Sequence, residues 1–516
     1  MQGLLQRIGG YLPAAVAVTM PVVVIPSAGD SYVLPRASLV VAGACLGVGL
    51  ALLIPDRPRL GALRLPLLAA AGAALLAFAF STSWPLSLAG SYLRYESLPI
   101  RLSYLGLFAS AVWLLRTQRQ RDWVVGAFVA ATCVACIKAW VQWVTHAPFR
   151  PDGDLGNANL LAALIVMAVP LAIDRIRRGG PFLLAWGGAI VVLAAGLYVT
   201  TSRSGFAGAG AACLAVLAFS VPRRWGNVVA IVAAAAVALG LILLLTTPLR
   251  DLNNDPPELR LHLWGDGVRM VAARPISGYG EDTTGLNFGH FLSEDYATLV
   301  TFDRVHSGPL DIAATEGLLG LGALGWIVVV LFRGAWQRRS ERDVAGLAVA
   351  LVGYTVWVVP NFDWAPATGM FWLLAGTLWS SPPHVVGTIR EGPRLWQPAV
   401  AAVLVGAAVV FAVFPILADV WYFRGRADFA IQLDPLQAQY HWSLGDGLIA
   451  KGDLPGGIAQ LRRAAELGET DPAMYVELGD RETQLDDKAA ARRAYQRALQ
   501  IDPYYGPANE RMAALG

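Results

Sequence analysis

The chain has little charge for its length. Only 15% of its 516 residues are Asp, Glu, Lys or Arg, and 56% are hydrophobic, whereas about a quarter of the residues in soluble domains are charged. This composition excludes a soluble globular protein. The net charge of +3 at pH 7 is also small, so nothing in the overall charge indicates a nucleic-acid partner.

Cysteine is scarce as well. The four cysteines, Cys45, Cys133, Cys136 and Cys213, all lie inside apolar stretches. Because metal and redox sites need polar residues that orient their ligands, the Cys133/Cys136 spacing predicts packing between membrane helices rather than zinc or thiol chemistry. Disulfide bonds carry no part of this interpretation, and the sequence indicates no metal site and no other cofactor.

Long apolar runs take the place of the missing charge. A helix needs about 20 apolar residues to cross about 30 Å of hydrocarbon, and thirteen runs approach this length. They are residues 9–27, 37–54, 62–80, 99–115, 122–144, 158–174, 181–200, 205–221, 226–246, 309–332, 343–360, 366–380 and 397–416. The sequence therefore predicts an all-α, polytopic membrane bundle with about 12 to 13 spanning helices.

The arginines between these runs predict an orientation. With the N-terminus inside, every second connection is short and basic, and the positive-inside rule then places the long loop 247–308 and the C-terminal segment outside. The basic connections contain Arg57, Arg59 and Arg64; Arg116, Arg119 and Arg121; Arg175, Arg177 and Arg178; Arg223 and Arg224; Arg333, Arg338, Arg339 and Arg342; Arg390 and Arg394. Alternatively, the first run is a cleaved signal peptide, which would leave the orientation of the rest unchanged.

The composition changes after residue 416. Residues 421–516 are charged and Ala-rich, and Leu444-Gly445 recurs as Leu478-Gly479 after 34 residues, which resembles the tetratricopeptide repeat. We therefore expect a membrane domain at 1–418 and a soluble, TPR-like α-solenoid at 419–516. Two repeats bury little core alone, so this domain should dock on the membrane domain or on a protein partner; a solvated helical spacer is the alternative. The second repeat matches at Tyr475, Leu478, Gly479, Ala491, Tyr495, Ala498 and Pro503.

Several polar residues lie at the predicted outer ends of the helices, where ionisable groups are costly and often functional. Arg94, between the third and fourth runs, either faces a phosphate or a sugar, or extends to the interface. Asn157 and Asn159 open the sixth run as helix caps or as ligands of a polar substrate. Ser202 and Arg203 occupy a short turn before a helix N-terminus, a combination that suits a phosphate.

The long loop adds a second set of candidates. Arg260, Trp264 and Arg274 precede a predicted tight turn at Gly278-Tyr279-Gly280. His306 closes the loop at a membrane boundary, where an imidazole can accept a proton from a hydroxyl or be only an interfacial polar residue. Glu316 follows in the next apolar run, within Glu316-Gly317-Leu318-Leu319-Gly320.

Five of these segments, in this order, resemble the O-antigen ligase and polymerase (Wzy-type) superfamily, and the resemblance spans residues 90–380. They hold Asn157 and Asn159; Ser202 and Arg203; Arg260 and Trp264; Gly278-Tyr279-Gly280; and His306 followed by Glu316. One departure is Ser307, where the family often has Asn. The resemblance implies a GT-C-like membrane glycosyltransferase that works without a metal ion. It implies that glycan is taken from undecaprenyl diphosphate on the outer, periplasmic face of the bacterial cytoplasmic membrane and passed to a glycan, lipid or protein acceptor.

The same resemblance suggests roles for the candidate residues. Arg203 and Arg260, with Arg94 third, would neutralise the diphosphate leaving group, and His306 would be the general base in an inverting attack by the acceptor hydroxyl. Asn157, Asn159, Ser202, Trp264, Arg274 and Glu316 would contact substrate, with Glu316 either structural or orienting.

Other functions remain open at this point. The acceptor is lipid A core in a ligase, the growing chain in a polymerase, or a protein hydroxyl in an oligosaccharyltransferase. A transporter or flippase of lipid-linked saccharides would also use arginines, but nearer the middle of the bilayer, where Lys138 is the one obvious cation. A membrane scaffold that presents the repeats is the third reading.

Overall fold

A computed structural model of the protein describes residues 8–54, 57–179, 182–220, 257–295, 301–380, 388–389 and 396–515. The predicted span 226–246 lies outside these residues, as do Arg223, Arg224, Arg390 and Arg394. Two short strands, β1 (Arg57–Pro58) and β2 (Thr388–Ile389), pair antiparallel; otherwise the described elements are helical.

The membrane domain contains the first sixteen helices that we number. They are α1 (Leu12–Thr19), α2 (Val33–Leu53), α3 (Arg64–Ala79), α4 (Trp84–Ala89), α5 (Leu98–Leu114), α6 (Gln118–Val144), α7 (Ala158–Arg178), α8 (Leu183–Thr200), α9 (Arg203–Ser220), α10 (Pro257–Ala273), α11 (Thr284–Asn287), α12 (Gly308–Gln337), α13 (Arg342–Val358), α14 (Ala365–Trp379), α15 (Trp396–Ala408) and α16 (Phe414–Phe423). A π-helical segment, Val409–Val413, joins α15 to α16.

Several of these helices are long and apolar enough to cross a membrane, as predicted. In the described part of the chain seven qualify, namely α2, α3 with its preceding turn, α6, α7, α8, α12 and the continuous α15–α16, and the apolar α5, α9 and α13 are shorter. The protein is thus a multi-pass membrane protein, and the total of 12 to 13 spans stays a prediction.

The first predicted span is wrong in its length. The run 9–27 forms only the eight-residue helix α1, which rises about 12 Å and cannot cross a bilayer. Pro21 explains this ending, because a proline has no N–H with which to continue the helical hydrogen bonds. After a turn, Asp30 accepts hydrogen bonds from the amides of Val33 and Leu34, so α2 begins four residues before the predicted run.

The centre of the bundle is formed by α7 and α14. Every residue of α14 is buried, so this short predicted span packs among other helices rather than against lipid. α7 contacts α8, α9 and α13, and α14 contacts α5. Small residues permit close contact between α9 and α13: an added Cβ at Gly208 would lie 2.8 Å from the Gly353 carbonyl oxygen.

The C-terminal domain consists of antiparallel helix pairs. It comprises α17 (Ala427–Leu433), α18 (Ala438–Ala450), α19 (Leu454–Leu467), α20 (Pro472–Gln484), α21 (Lys488–Ile501) and α22 (Gly506–Leu515). The predicted boundary at 418/419 falls inside α16, because this helix continues to Phe423. The TPR assignment itself stays a prediction.

This domain lies against the membrane domain. Asp419 of α16 accepts hydrogen bonds from the Asp30 amide at 2.7 Å and from the hydroxyls of Tyr92 and Tyr440 at 2.9 and 3.1 Å. Gly289 of the long loop packs so closely on α21 that an added Cβ would lie 2.1 Å from the Ile501 carbonyl oxygen. The long loop and the C-terminal domain therefore lie on the same face of the bundle.

Candidate active site

Helix α12 is broken at Gly317, next to one of the predicted site residues. Gly317 has φ +71° and ψ −173°, a conformation essentially restricted to glycine. The loop segment 275–280 forms hydrogen bonds with the backbone groups that the break leaves unpaired. The Tyr279 amide donates to the Ala314 carbonyl and the Gly280 amide to the Thr315 carbonyl, each at 2.9 Å. The Leu318 amide donates to the Pro275 carbonyl at 2.7 Å. Irregular backbone at this depth is tolerated because protein groups satisfy it.

His306 lies at the N-terminal end of α12. Its backbone is left-handed, with φ +59°, and the indole of Trp264 on α10 donates to its carbonyl oxygen at 3.1 Å. The imidazole packs edge-on against Phe362, with 5.4 Å between ring centroids. Trp264 therefore holds the histidine backbone, and Phe362 holds one side of its ring.

Two of the predicted arginines contact the same segment, residues 360–364. Arg260 donates to the Pro360 carbonyl oxygen. The Arg94 guanidinium lies 4.8 Å from the ring centroids of both Phe362 and Trp364 and forms a bidentate pair with Asp303, at 2.5 and 3.2 Å. The structure thus brings Arg94, Arg260, Trp264 and His306 together around segment 360–364.

A second group surrounds the start of α9. Ser202 donates to the Asn159 side-chain oxygen at 2.7 Å, and its own hydroxyl accepts from the Gly205 amide at 3.2 Å. Asn157 caps α7 by accepting from the Asn159 amide at 2.8 Å. Arg150, which the sequence interpretation missed, donates to the Thr200 carbonyl at 2.8 Å. Arg203 is the first residue of α9.

These two groups share one face of the membrane domain. α9 runs antiparallel to α13, since Gly208 faces Gly353 and Trp357 while Ala212 lies near Val349. The N-terminus of α9 therefore lies at the end of α13 from which segment 360–364 emerges.

Two predicted residues are not part of this assembly. Arg274 follows α10 and stacks on Tyr279 at 4.7 Å; fourteen residues separate it from Arg260, a helical rise of about 21 Å. Glu316 lies next to the break in α12, where its carboxylate contacts the Arg101 guanidinium at 2.8 Å.

A buried cluster of charges forms around Arg101. This guanidinium also contacts Asp363 and, at 3.6 Å, Glu281, while Glu96 nearby accepts from the Tyr104 hydroxyl at 2.8 Å. Sequence interpretation missed the cluster, although an arginine in the apolar run 99–115 was a signal for it. Asp363 belongs to segment 360–364, so the cluster holds the segment on which Arg94, Arg260 and His306 pack.

Burial in this cluster changes the ionisation of its carboxyl groups. Burial raises the pKa of Glu96 to about 8, and the charge of Asp363 adds to the effect. Burial also raises the pKa of Glu281 well above its ordinary value, with a further contribution from Glu316. At neutral pH Glu96 is therefore largely protonated, which reduces the negative charge around the Arg101 guanidinium.

We expect the stability of the protein to fall as the pH rises from about 5 to about 9. Between the ordinary pKa of a glutamate and the raised pKa of Glu96 the folded protein binds more protons than the unfolded chain, with a slope of up to about 1.4 kcal/mol per pH unit per group. Glu96→Gln should reduce the slope because it removes the titrating carboxyl, and the amide oxygen can still accept the hydrogen bond from Tyr104. Thermal unfolding between pH 5 and 9 measures this slope of stability against pH. The control is Glu466→Gln, a substitution at an exposed position. An unchanged slope in Glu96→Gln would contradict the assignment.

The described residues contain no group of three or more His, Cys, Asp or Glu side chains that could hold a metal ion. The carboxylates that do converge, those of Glu281, Glu316 and Asp363, have Arg101 among them. The side chains that the structure brings together at this face of the bundle are arginines and a histidine.

Comparison with known proteins assigns part of the chain. No curated protein matches it. Residues 188–325 match a family model described as O-Antigen ligase; the match extends from α8 to the middle of α12 and contains Arg203, Arg260, Trp264 and His306. This part of the multi-pass membrane protein is therefore similar to O-antigen ligases, and the similarity supports a function in glycan transfer at a membrane.

Proposed function

We propose that the protein is a membrane glycosyltransferase that transfers glycan from undecaprenyl diphosphate to an acceptor hydroxyl, with inversion and without a metal ion. The acceptor is lipid A core, a growing polysaccharide or a protein, and the reaction takes place on the outer, periplasmic face of the cytoplasmic membrane. The observation that carries the proposal is the convergence of Arg94, Arg260 and His306 on segment 360–364, beside the helix that Arg203 begins.

The arginines stabilise the leaving group. As the glycosidic bond breaks, its electron pair goes to the diphosphate oxygen, and preorganised cations in a site of low dielectric stabilise that developing charge. Arg203 and Arg260 have this role, and the N-terminus of α9 adds its backbone amides to Arg203. Arg94 is third, because its bidentate pair with Asp303 already offsets much of its charge.

His306 acts as the general base. Its imidazole takes the proton from the acceptor hydroxyl as the oxygen attacks the anomeric carbon opposite the diphosphate, which inverts that carbon. Trp264 fixes the backbone of His306 and Phe362 its ring, so the base is held in one orientation. Ser202 and Asn159 hold the start of α9 rather than the reacting atoms.

The C-terminal helices complete the proposal. We assign them as a TPR-like domain on the periplasmic side, and their contacts with the long loop support a position next to the proposed reaction site. A surface of this kind suits a protein partner or an acceptor chain. The division into a membrane domain at 1–418 and an extracytoplasmic domain at 419–516 belongs to the same proposal, with the linking helix α16 continuing to Phe423.

The test is glycan transfer in membranes supplied with lipid-linked oligosaccharide. We expect His306→Ala and Arg203→Ala each to lower the transfer rate by about 10² or more, whereas exposed His290→Ala, at matched expression, should keep the wild-type rate. Undecaprenyl diphosphate should be released in step with transfer, and added chelator should have no effect.

Two outcomes would contradict this proposal in different ways. Wild-type rates in both His306→Ala and Arg203→Ala would reject the assigned site. Movement of the lipid-linked saccharide across vesicle membranes, without transfer to any acceptor, would identify a flippase instead.

A further inference from the structure

Two adjoining cavities lie away from the proposed reaction site, between α2, α5 and the segment α15–α16. Their volumes are about 450 Å³ and about 220 Å³. Val41, Leu88, Pro99 and Phe411 line both, so the two cavities are direct neighbours, and we describe them as two lobes. The proposed transfer mechanism uses neither lobe.

The larger lobe is apolar. Side chains of α2, α5 and α15 line it, among them Val48, Leu102 and Leu404. Helix α15 forms its outer wall. Val403 of this helix points away from the bundle and is 70% exposed, as expected for a helix that faces lipid. A space of this chemistry, at the lipid-facing edge of a membrane domain, suits a hydrocarbon chain.

The smaller lobe is polar at one end, toward the C-terminal domain. Asp434, in the connection between α17 and α18, lines it together with Ser38 and Tyr95. The hydroxyls of Ser38 and Tyr95 are buried and have no hydrogen-bond partner among the described residues. A buried hydroxyl without a partner costs about 1–3 kcal/mol and is rare in folded proteins, so a ligand oxygen that reached these two hydroxyls would gain both hydrogen bonds.

The wall shared by the two lobes is irregular. Val409–Val413 is a π-helical segment, and Phe411 within it lines both lobes. Single π-helical turns inside α-helices frequently occur at functional sites, because the extra residue displaces side chains from their regular positions. Here the displacement coincides with the junction of the apolar and polar lobes.

The charges exclude one kind of ligand and favour another. None of the residues that line either lobe is Lys or Arg. A diphosphate group would therefore find no counter-ion here, whereas the phosphate of a zwitterionic head group carries its own ammonium group. Burial raises the pKa of Asp434 to about 6, which leaves it mostly ionised at neutral pH and able to pair with an ammonium group. The lobes are therefore distinct in chemistry from the arginine-rich site around segment 360–364.

We propose that this two-lobed cavity binds one zwitterionic phospholipid with an ammonium head group. One of its two acyl chains occupies the apolar lobe, its ester oxygens accept from the Ser38 and Tyr95 hydroxyls, and its ammonium group lies against Asp434. Because Leu433, Asp434 and Leu436 belong to the C-terminal domain, the lipid contacts both domains and strengthens the contact between them.

The test uses delipidated full-length protein in detergent, with phosphatidylethanolamine or phosphatidylglycerol of identical acyl chains added. Phosphatidylethanolamine should raise Tm and appear as a one-to-one complex in native mass spectrometry, more strongly than phosphatidylglycerol. Tyr95→Phe should weaken its binding about fivefold to tenfold without lowering the Tm of the lipid-free protein, because the removed hydroxyl has no partner to lose.

A pair of variants on α15 separates this cavity from the general lipid surface. Ala407→Trp fills the apolar lobe and should abolish the lipid-induced rise in Tm, whereas Val403→Trp, on the lipid-facing side of the same helix, should preserve it. Equal effects of both lipids, no effect of either, or full binding by Tyr95→Phe would each overturn the proposal. Glycan transfer is not part of the readout, so these results are independent of the proposed catalysis.

Discussion

Replacement of Arg101 by methionine is expected to lower the free energy of unfolding by about 3–5 kcal/mol and to abolish glycan transfer. The guanidinium is the cation that Glu281, Glu316 and Asp363 share in a buried position. Its removal leaves buried carboxylates without a counter-ion, and it releases segment 360–364 from its attachment to α5. Thermal unfolding in detergent and transfer assays in membranes measure the two effects.

A second substitution in the same cluster, which removes one of the negative charges that Arg101 offsets, provides the control for this prediction. In the double variant Arg101→Met/Asp363→Asn one negative charge is also removed, so part of the stability should return, as expected for residues in direct contact. Arg426→Met breaks an exposed pair with Asp428 and should change the stability little. A wild-type Tm for Arg101→Met would show that the cluster does not hold the fold together.

Substitution of Gly317 by alanine is the second change with a large expected effect. An added Cβ would lie 2.1 Å from the Ile276 carbonyl oxygen, and a non-glycine residue in this conformation costs about 1–3 kcal/mol by itself. Because the clash is with backbone, loop segment 275–280 must move away from α12. We expect a loss of stability of about 3–5 kcal/mol when strain and clash combine, with loss of transfer.

The same helix supplies matched controls. Gly322 and Gly325 also belong to α12, and an added Cβ at either position meets no atom within 4 Å. Gly322→Ala and Gly325→Ala should therefore retain stability and transfer. If Gly317→Ala behaved like these two, the break in α12 would have no part in holding the long loop.

The two predictions concern one structural unit. The break in α12 fixes the loop through backbone hydrogen bonds, and the Arg101 cluster fixes segment 360–364 through charge. His306 contacts the long loop through Trp264 and segment 360–364 through Phe362. A mutation distant from the proposed chemistry can thus displace the base, and displacements of about 1 Å are sufficient to lower rates a hundredfold.

Much of the candidate site could be predicted from local sequence. Asn157, Ser202 and His306 each sit at a helix start, and such positions are recognisable because a polar residue precedes an apolar run. The partners of these residues could not be predicted in the same way. Asp303 pairs with Arg94 across 209 residues, and no periodicity in the sequence relates positions so far apart.

The sequence by itself determined that this chain is a multi-pass, largely helical membrane protein with a polar helical C-terminus. The physical reason is local: apolar runs long enough to cross hydrocarbon can satisfy their backbone groups only as helices. Only the tertiary structure decided that Glu316 pairs with Arg101 and that Arg274 lies away from Arg260. These outcomes depend on the glycine break in α12 and on buried charges that meet only after the helices have packed.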